Sequence, residues 1–298
     1  MFSVIITTYK RTIDVLGRAI NSIVKQSYLD WELIVVNDFP DDKKLVEDIR
    51  ALIEGYNDTR IKYIVHEKNK GACEARNTGI RNSNGEFIAF LDDDDEWIYN
   101  KLELMLPYLA NKEVGLVYSD SINVYKRKEK IHRSIPILQY KNDAFKALLV
   151  NNYIGSTSFP IMRKSAVLNV GGFDPCMRAC QDLDLWLKIS KKYKIEYCSK
   201  PLTKYYFSDE CITKNIKARI ESHEKLIKKY NDIYSNDKRL LKLKYLNMAA
   251  DFIMSEDEEY SKIYLNEAKK LDKKNIWDYS IIIKAMLIVM RNKIILKK

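Results

Sequence analysis

Apolar residues in the first hundred positions occur in short, β-branched runs followed by longer amphipathic stretches. Four such runs predict buried strands: 4–7, 33–36, 61–64 and 87–91. Helices are predicted in the three stretches between them, at 12–27, 44–54 and 71–81. Strands that alternate with helices are typical of a mostly parallel sheet with helices on both faces, so we expect an α/β fold.

The later part of the chain has a different pattern. Residues 101–210 are mixed, with a strand predicted at 114–118 and helices at 143–150 and 183–189. Residues 211–298 are helical and Lys-rich in pattern, without a recognisable strand. We therefore divide the chain at about residues 100 and 210 into two halves of an α/β domain and a helical C-terminal region.

Polar residues follow three of the predicted strands, at the point where each strand ends: Thr7-Thr8-Tyr9, Asn37-Asp38 and Asp92–Asp95. The carboxyl ends of parallel strands meet at one edge of a sheet, and ligands of open α/β sheets bind beyond that edge. The sequence therefore predicts a binding site where these side chains meet.

Four consecutive aspartates, Asp92 to Asp95, follow the buried run 87–91. Adjacent carboxylates repel one another and raise each other's pKa unless a cation lies between them. Mg²⁺ or Mn²⁺ shared with diphosphate oxygens would remove this cost, because both ions prefer oxygen ligands. The alternative is a solvated acidic turn, which the position directly after a buried strand disfavours.

Two further polar residues are candidates for the same site. Asp38 follows a buried strand, where its carboxylate could accept hydrogen bonds from a base or a ribose, although a turn or helix cap would use it equally well. Arg76 lies in the predicted helix 71–81, and its guanidinium suits a diphosphate. The alternative for Arg76 is a solvated helix position close to Glu74.

Composition narrows the class of protein. The chain has 298 residues of which 46% are hydrophobic, enough for a packed globular protein. Its five cysteines form no CxxC pair and are odd in number, which favours a reducing cytosol over a disulfide framework. Three scattered histidines do not support a His-based zinc site. The N-terminus has no basic region or cleavage site, so we expect no signal peptide and a cytoplasmic location.

The charge of the chain is divided unevenly. Residues 1–100 hold 13 Lys and Arg against 18 Asp and Glu, a net charge of −5, and residues 101–298 hold 38 against 23, a net charge of +15. A basic surface can serve solubility alone. It can also face an anionic partner such as a membrane leaflet or a lipid diphosphate. No nucleic-acid-binding motif accompanies the charge, so we do not expect nucleic acid as a partner.

The last segment, residues 276–298, is apolar but interrupted by Lys284, and its uninterrupted run is too short to span a bilayer. Lys284, Arg291 and Lys298 recur every seven residues and lie along one helical stripe. This pattern suits a helix in the membrane interface with Trp277 near the headgroups. A helix packed on the protein's own core, or on a second subunit of a homodimer, fits equally well.

Six separated motifs stand in an order that resembles the family 2 glycosyltransferases of the GT-A fold. They cover residues 1–210 and are Val4–Arg11, Glu32–Asp38, Asn69–Gly71 with Ala75–Ile80, Phe90–Trp97, Gly171–Asp174 and Gln181–Leu187. The resemblance implies that residues 1–100 bind a nucleotide sugar and that residues 101–210 bind the acceptor. It does not extend to the helical region 211–298.

The resemblance also implies roles for individual residues of this chain. Thr7, Tyr9 and Asp38 would hold the uracil end of a UDP-sugar, and Arg76 would contact the base or the diphosphate. Asp92, Asp93 and Asp94 form the DXD motif, with Asp93 near the ribose and Asp94 on the metal. Asp182 stands at the position of the catalytic base.

This chain departs from the family pattern at two places. Asn37-Asp38-Phe39-Pro40 replaces the frequent Asp-Asp-Gly-Ser, which keeps the second Asp and stiffens the loop after it. Gln181-Asp182 replaces the frequent Glu-Asp, which keeps the base and removes its acidic neighbour.

Asp182 suits the role of a base on physical grounds. Transfer with inversion needs a base to take the acceptor hydroxyl proton on the face opposite the leaving group. A carboxylate at a helix start is favoured there by the dipole and by unpaired N–H groups. The alternative is a plain N-cap of the predicted helix 183–189, and Asp184 competes for either role.

We therefore expect an inverting, Mn²⁺- or Mg²⁺-dependent glycosyltransferase that uses a UDP-sugar and a saccharide or lipid-linked acceptor in surface polysaccharide synthesis. We expect it in the cytoplasm, peripheral at the inner face of the plasma membrane. One alternative is a sugar nucleotidyltransferase, but the loop after the first strand lacks the glycines that a phosphate-binding loop needs. The other is a non-catalytic nucleotide-sugar-binding partner.

Overall fold

The computed structural model describes residues 1–125, 128–207, 215–271 and 276–296. Strands and helices alternate at its start: β1 Phe2–Thr8, α1 Ile13–Val24, β2 Trp31–Asn37, α2 Lys43–Glu54, β3 Ile61–Val65, α3 Ala72–Arg81 and β4 Phe87–Asp92. All seven residues of β2 are buried, which explains why an unbroken apolar run marks it in the sequence. This part of the chain confirms the predicted alternation.

The following part mixes short helices with strands of both directions. Its elements are β5 Glu96–Trp97, α4 Lys101–Met105, β6 Val114–Tyr125, β7 Lys128–His132, α5 Ala144–Val150, β8 Ile161–Arg163, α6 Lys164–Asn169, α7 Gln181–Ser190 and β9 Lys194–Tyr206. Within the described residues, the α-helices that follow are α8 Ile216–Lys229, α9 Asn231–Asn236, α10 Lys238–Met254, α11 Glu258–Leu271 and α12 Ser280–Leu296. The helical C-terminal region is confirmed.

The described strands form one sheet in the order β3-β2-β1-β4-β8-β6-β9-β5, with β7 on β6. Strands β3, β2, β1 and β4 are parallel, β8 is antiparallel between β4 and β6, and β6 pairs in parallel with β9. Register pairs Thr7 of β1 with Asp92 of β4, and Thr8 with Asn37 of β2. The polar ends of three strands therefore meet at one edge, as predicted.

Helix α3 packs closely on β1, which brings its polar face to the same edge. A Cβ on Gly79 would lie 2.3 Å from Ile5 Cγ2, so only glycine allows this approach. Within the same unit, Trp97 and Trp186 are 2% and 0% exposed and belong to the core.

The chain divides into two compact units, one of residues 1–136 and 153–222 and one of residues 137–152 and 223–298. The sheet belongs to the first unit. The second unit is helical: α10 packs on α5, α11 and α12, and the buried Tyr234 donates a hydrogen bond to the Leu149 carbonyl at 2.7 Å. The functional boundaries at residues 100 and 210 stay a prediction. None of the helices in the described ranges combines the length and the apolar character that a membrane crossing needs.

Candidate active site

Asp92 closes strand β4 and is held by the protein on both of its oxygens. Oδ2 accepts a hydrogen bond from the Ser156 hydroxyl at 2.9 Å, and Oδ1 accepts from the Thr157 hydroxyl at 2.9 Å and from Arg76 at 3.2 Å. Charge-assisted hydrogen bonds of this kind are among the stronger ones in proteins. Asp92 therefore orders the segment 156–158 and the guanidinium of Arg76.

Arg76 connects three elements at the sheet edge. From α3, one of its nitrogens donates to Asp92 on β4, and another donates to Gln181 Oε1 on α7 at 2.9 Å. Its guanidinium carbon lies 5.4 Å from the centre of the Phe173 ring, within cation–π range. This arrangement brings the N-terminus of α7, and with it Asp182, to the edge where β4 ends.

Asp93 and Asp94 share one cation, the guanidinium of Arg11. Arg11 Nε donates to Asp93 Oδ1 at 2.9 Å, and another Arg11 nitrogen donates to Asp94 Oδ2 at 3.0 Å. Burial raises the pKa of Asp93 to about 6, although Arg11 acts in the opposite direction. Burial and the neighbouring Asp92 also raise the pKa of Asp94. The pair is thus an acidic centre whose charge is only partly compensated.

Asp95 points into the protein and is fully buried. Its Oδ1 accepts a hydrogen bond from the Tyr206 backbone N–H at 3.2 Å, which ties the acidic turn to the end of β9. Burial, followed by the charge of Asp92, raises its pKa well above the usual range. Asp95 therefore has a structural environment that differs from those of the other three aspartates.

Lys101 is a buried basic side chain close to this turn that the sequence did not predict. Its ammonium group donates to the Phe159 carbonyl at 2.7 Å and to the Thr203 hydroxyl at 3.1 Å. Burial lowers its pKa to about 7, and Asp95 is among the groups that oppose this shift. A single Lys at the start of a short helix gives no sign in the sequence that its side chain is buried and hydrogen-bonded inside the protein.

Asp38 has both carboxylate oxygens engaged by the loop that precedes α3. Oδ1 accepts from the Lys70 backbone N–H at 2.8 Å and lies 2.7 Å from His66 Nδ1, while Oδ2 accepts from the Gly71 N–H at 2.7 Å. His66 Nε2 lies 3.0 Å from the Thr78 hydroxyl. Asp38 therefore shapes this loop, and its contact with uracil stays a prediction. The sequence analysis missed His66, whose only signal is its position one residue after β3.

Thr7 and Tyr9 stand at the end of β1. Thr7 is partly buried in register with Asp92, and the Tyr9 side chain is 47% exposed. The Tyr9 ring packs edge-to-face against Phe39 with centroids 5.2 Å apart, and the Lys10 ammonium lies 4.9 Å from the Phe39 centroid. The exposed Tyr9 ring, packed on the partly buried Phe39, offers a surface on which a flat base can stack.

Asp182 lies in the first turn of α7 and is partly exposed. Its Oδ1 accepts a hydrogen bond from the Leu183 N–H at 2.8 Å. The competing Asp184 is 1% exposed, and its Oδ2 lies 3.1 Å from Lys188 Nζ. Asp182 is therefore the more accessible of the two carboxylates.

The loop Gly171–Asp174 is fastened to α3 by Asn77. The Phe173 N–H donates to Asn77 Oδ1 at 3.0 Å, and Asn77 Nδ2 donates to the Phe173 carbonyl at 2.9 Å. Gly172 has φ +65°, and a Cβ there would lie 2.7 Å from Asn77 Oδ1. The loop thus fixes the Phe173 ring beside Arg76.

The acidic turn fits a divalent cation only with help from other ligands. Within the described part of the chain, no group of three or more His, Cys, Asp or Glu is arranged to hold a metal ion. Asp94 nevertheless offers a hard oxygen donor whose side chain is 24% exposed, and burial together with the charge of Asp92 raises its pKa. These residues match an ion that takes its remaining ligands from diphosphate oxygens and water.

The chain is similar in sequence to known glycosyltransferases. The sequence model described as "Glycosyl transferase family 2" matches residues 3–171. The Escherichia coli protein WfgD, a UDP-Glc:alpha-D-GlcNAc-diphosphoundecaprenol beta-1,3-glucosyltransferase, is 30% identical over 217 residues, which cover 72% of this chain and 80% of WfgD.

Two solved structures share the fold. S. aureus TarS in complex with UDP-GlcNAc superposes with a TM-score of 0.66 at 18% identity, covering 91% of this chain and 81% of TarS. The Pyrobaculum calidifontis mannosyltransferase PcManGT, in complex with GDP-Man and Mn²⁺, has a TM-score of 0.56 at 15% identity and covers 97% of this chain and 75% of PcManGT. The sheet, its flanking helices and the family match together establish that the chain belongs to the family 2 glycosyltransferases and has the GT-A fold.

Proposed function

We propose that this glycosyltransferase transfers a sugar, with inversion, from a UDP-sugar to a saccharide or lipid-linked saccharide in surface polysaccharide synthesis. One observation carries the proposal: the Gln181–Arg76–Asp92 hydrogen-bond chain brings the candidate base on α7 to the same sheet edge as the acidic pair Asp93 and Asp94. A base and a diphosphate site on one edge are what displacement at a sugar carbon requires.

The donor would lie along the carboxyl ends of β1, β2 and β4. The exposed ring of Tyr9, supported by Phe39, provides a stacking surface for uracil, with Thr7 and Asp38 at its border. Asp93 would accept from the ribose, and Arg76 would donate to the base or the diphosphate. The UDP-glucose named for WfgD and the UDP-GlcNAc bound to TarS support a uridine nucleotide.

Asp94 would hold a divalent cation, Mn²⁺ or Mg²⁺, together with oxygens of the donor. The Mn²⁺ in the PcManGT complex supports this class of ion. When bound, the ion would supply positive charge that stabilises the departing nucleoside diphosphate. The protein's own contribution is Arg76, which presents fixed donors beside Asp92 at the same edge.

Asp182 would act as the general base. Its carboxylate takes the proton of the acceptor hydroxyl while that oxygen forms a bond to the anomeric carbon from the face opposite the leaving group. The bond between the anomeric carbon and the phosphate oxygen breaks, and UDP leaves with the electron pair. Single displacement of this kind inverts the anomeric configuration. The greater exposure of Asp182 relative to Asp184 supports this assignment.

The helical C-terminal region would bring the enzyme to an anionic membrane surface that carries a lipid-linked acceptor. In α12, Ile283, Met286 and Leu287 are 60%, 44% and 60% exposed, and Lys284 beside them is also exposed. Trp277, Arg291 and Lys298, which the sequence pattern assigned to the same role, lie outside the side chains that the structure describes. The net charge of +15 over residues 101–298 favours an anionic surface. A second subunit covering the same face is the alternative that the experiment must separate.

Release of UDP from a panel of UDP-sugars, with lipid-linked and free saccharide acceptors and with Mn²⁺ or EDTA, tests the proposal. We expect metal-dependent release from one sugar, lost in Asp94→Ala and reduced about 10²- to 10⁴-fold in kcat in Asp182→Asn. Asp48→Asn, at an exposed position on α2, controls for the loss of a carboxylate. Release of pyrophosphate from UTP and a sugar phosphate would instead favour a nucleotidyltransferase. Nucleotide binding without turnover on any donor would favour a binding partner.

A further inference from the structure

Arg11 binds the carboxylate of Asp94, the residue proposed above as the metal ligand, so a metal ion at Asp94 would have to displace it. Its guanidinium bridges Asp93 Oδ1 at 2.9 Å and Asp94 Oδ2 at 3.0 Å, from a position 82 residues earlier in the chain. The Arg11 side chain is 29% exposed, and those of Asp93 and Asp94 are 8% and 24% exposed. The bridge is thus a partly buried one, and it neutralises part of the acidic turn.

A second arginine contacts the same turn in a different way. Arg18 donates to the Asp94 backbone carbonyl, and its guanidinium carbon lies 3.8 Å from the centre of the Tyr206 ring. Arg18 therefore supports the main chain of the turn and leaves the Asp94 carboxylate to Arg11. Arg11 is therefore the side chain that would lose its contact if a metal ion took Asp94 Oδ2.

A guanidinium and a divalent cation are competitors for one carboxylate oxygen. The two cations repel each other, and either one alone relieves much of the repulsion among the carboxylates of the acidic turn. A metal ion without nucleotide offers Asp94 little beyond what Arg11 already provides. A metal ion bound to a nucleoside diphosphate brings further oxygen ligands and negative charge, which can receive the displaced guanidinium.

We propose that Arg11 is a positioning residue that acts as a built-in counter-cation: it holds Asp93 and Asp94 in place in the metal-free enzyme and yields Asp94 to the metal that arrives with the donor. This inference rests on the proposed role of Asp94 as the metal ligand. It makes metal and nucleotide binding strongly interdependent, because the bare ion has to displace Arg11 without compensation. The donor complex, by contrast, offers the guanidinium a diphosphate in exchange.

Binding of Mn²⁺ measured from the electron paramagnetic resonance signal of the free ion, with and without UDP, tests the inference without relying on activity. We expect Arg11→Gln to bind bare Mn²⁺ about fivefold more tightly than the wild type, as expected for removal of a partly exposed ion pair. Lys10→Gln removes the same charge from the neighbouring residue, which contacts the Tyr9 and Phe39 rings rather than the carboxylates. Arg11→Lys keeps the charge but loses the planar guanidinium that contacts both carboxylates, and we expect its affinity for Mn²⁺ to lie between those of the wild type and Arg11→Gln.

The UDP arm separates the two proposals. We expect UDP to raise Mn²⁺ affinity more in the wild type than in Arg11→Gln, and a merely structural role of Arg11 would instead weaken Mn²⁺ binding in both conditions. If the wild type binds Mn²⁺ with UDP but Arg11→Gln gains no more affinity for the bare ion than Lys10→Gln, the counter-cation inference is wrong and the metal role stands. If the wild type binds no Mn²⁺ even with UDP, the metal role itself fails. Should Arg11→Gln not fold, the comparison of Arg11→Lys with Lys10→Gln decides in the same way.

Discussion

Gly171 and Gly172, which precede Phe173, differ in one respect: both need a left-handed backbone conformation, but only Gly172 packs closely against a neighbouring side chain. Gly171 and Gly172 have φ values of +80° and +65°, so any other residue at either position pays for a left-handed conformation. A Cβ on Gly171 would meet nothing within 4 Å, whereas a Cβ on Gly172 would lie 2.7 Å from Asn77 Oδ1. Gly171→Ala is therefore a matched control for Gly172→Ala.

The expected magnitudes follow from these contacts. Each substitution should cost about 1 kcal/mol in the free energy of unfolding for the positive φ. In Gly172→Ala, Asn77 must also move away from the Phe173 backbone, with which it exchanges two hydrogen bonds at 2.9 and 3.0 Å. At about 1 kcal/mol for each bond, Gly172→Ala should cost about 3 kcal/mol in all.

Urea unfolding of both variants and of Asn77→Ala measures these differences. Because Asn77 is the group that the new Cβ meets, we expect Gly172→Ala with Asn77→Ala to cost clearly less than the sum of the two single changes. We also expect UDP-sugar turnover to fall in Gly172→Ala and to stay near the wild-type value in Gly171→Ala, since only the former displaces the loop beside Arg76. Equal unfolding costs for the two glycine variants, or strict additivity with Asn77→Ala, would refute the close-packing argument.

Two further predictions concern the charge of Glu32 and the exposed apolar face of α12. Burial acts to raise the pKa of Glu32, but hydrogen bonds from Lys62, Ser3 and Asn84 outweigh it and lower the pKa to about 2. Glu32 should therefore contribute stability above about pH 4.5 that is lost as the pH falls toward 2, and the difference between wild type and Glu32→Gln in urea unfolding should shrink over that range. In sedimentation with anionic phosphatidylglycerol vesicles, Ile283→Ser with Leu287→Ser should lower binding, whereas Ile263→Ser, 43% exposed on α11, should not. A change in sedimentation-equilibrium mass without a change in vesicle binding would point instead to a dimer.

The strands that the sequence predicted are those whose environment is uniform along their length. Strands β1 and β2 are buried on both faces, and strands of this kind are expected to have a continuous apolar, β-branched sequence. Strand β9 was missed because most of its 13 residues are exposed or only partly buried, so no continuous apolar run marks it, and because it includes Pro201 at an irregularity of register. Strand β6 was predicted too short because Ser119, Asp120 and Ser121 interrupt its apolar run although all three are buried.

Buried polar residues are hard to predict because their partners are distant in sequence. Asp120 accepts hydrogen bonds from the Tyr197 hydroxyl at 2.7 Å and from the Ser134 N–H at 2.8 Å, 77 and 14 residues away. Burial of such a group costs little once these bonds form and a great deal without them. Local pattern therefore gives no sign that the residue belongs inside a strand.

The roles of the four aspartates at the candidate site are also hard to predict, because they too depend on partners that are distant in sequence. Strand order alone was enough to predict that the aspartates lie where the polar ends of β1 and β2 also meet, since parallel strands end together. Which carboxylate does what depends on partners that come from 64 to 111 residues away: Ser156 for Asp92, Arg11 for Asp93 and Asp94, and Tyr206 for Asp95. Four identical side chains thus have distinct environments, one hydrogen-bonded to neutral and cationic donors, two bridged by a cation and one buried. Asp94 is bridged by Arg11 and has a side chain that is 24% exposed, against 8% for Asp93, and for this reason we propose it as the aspartate that exchanges its arginine for a metal ion.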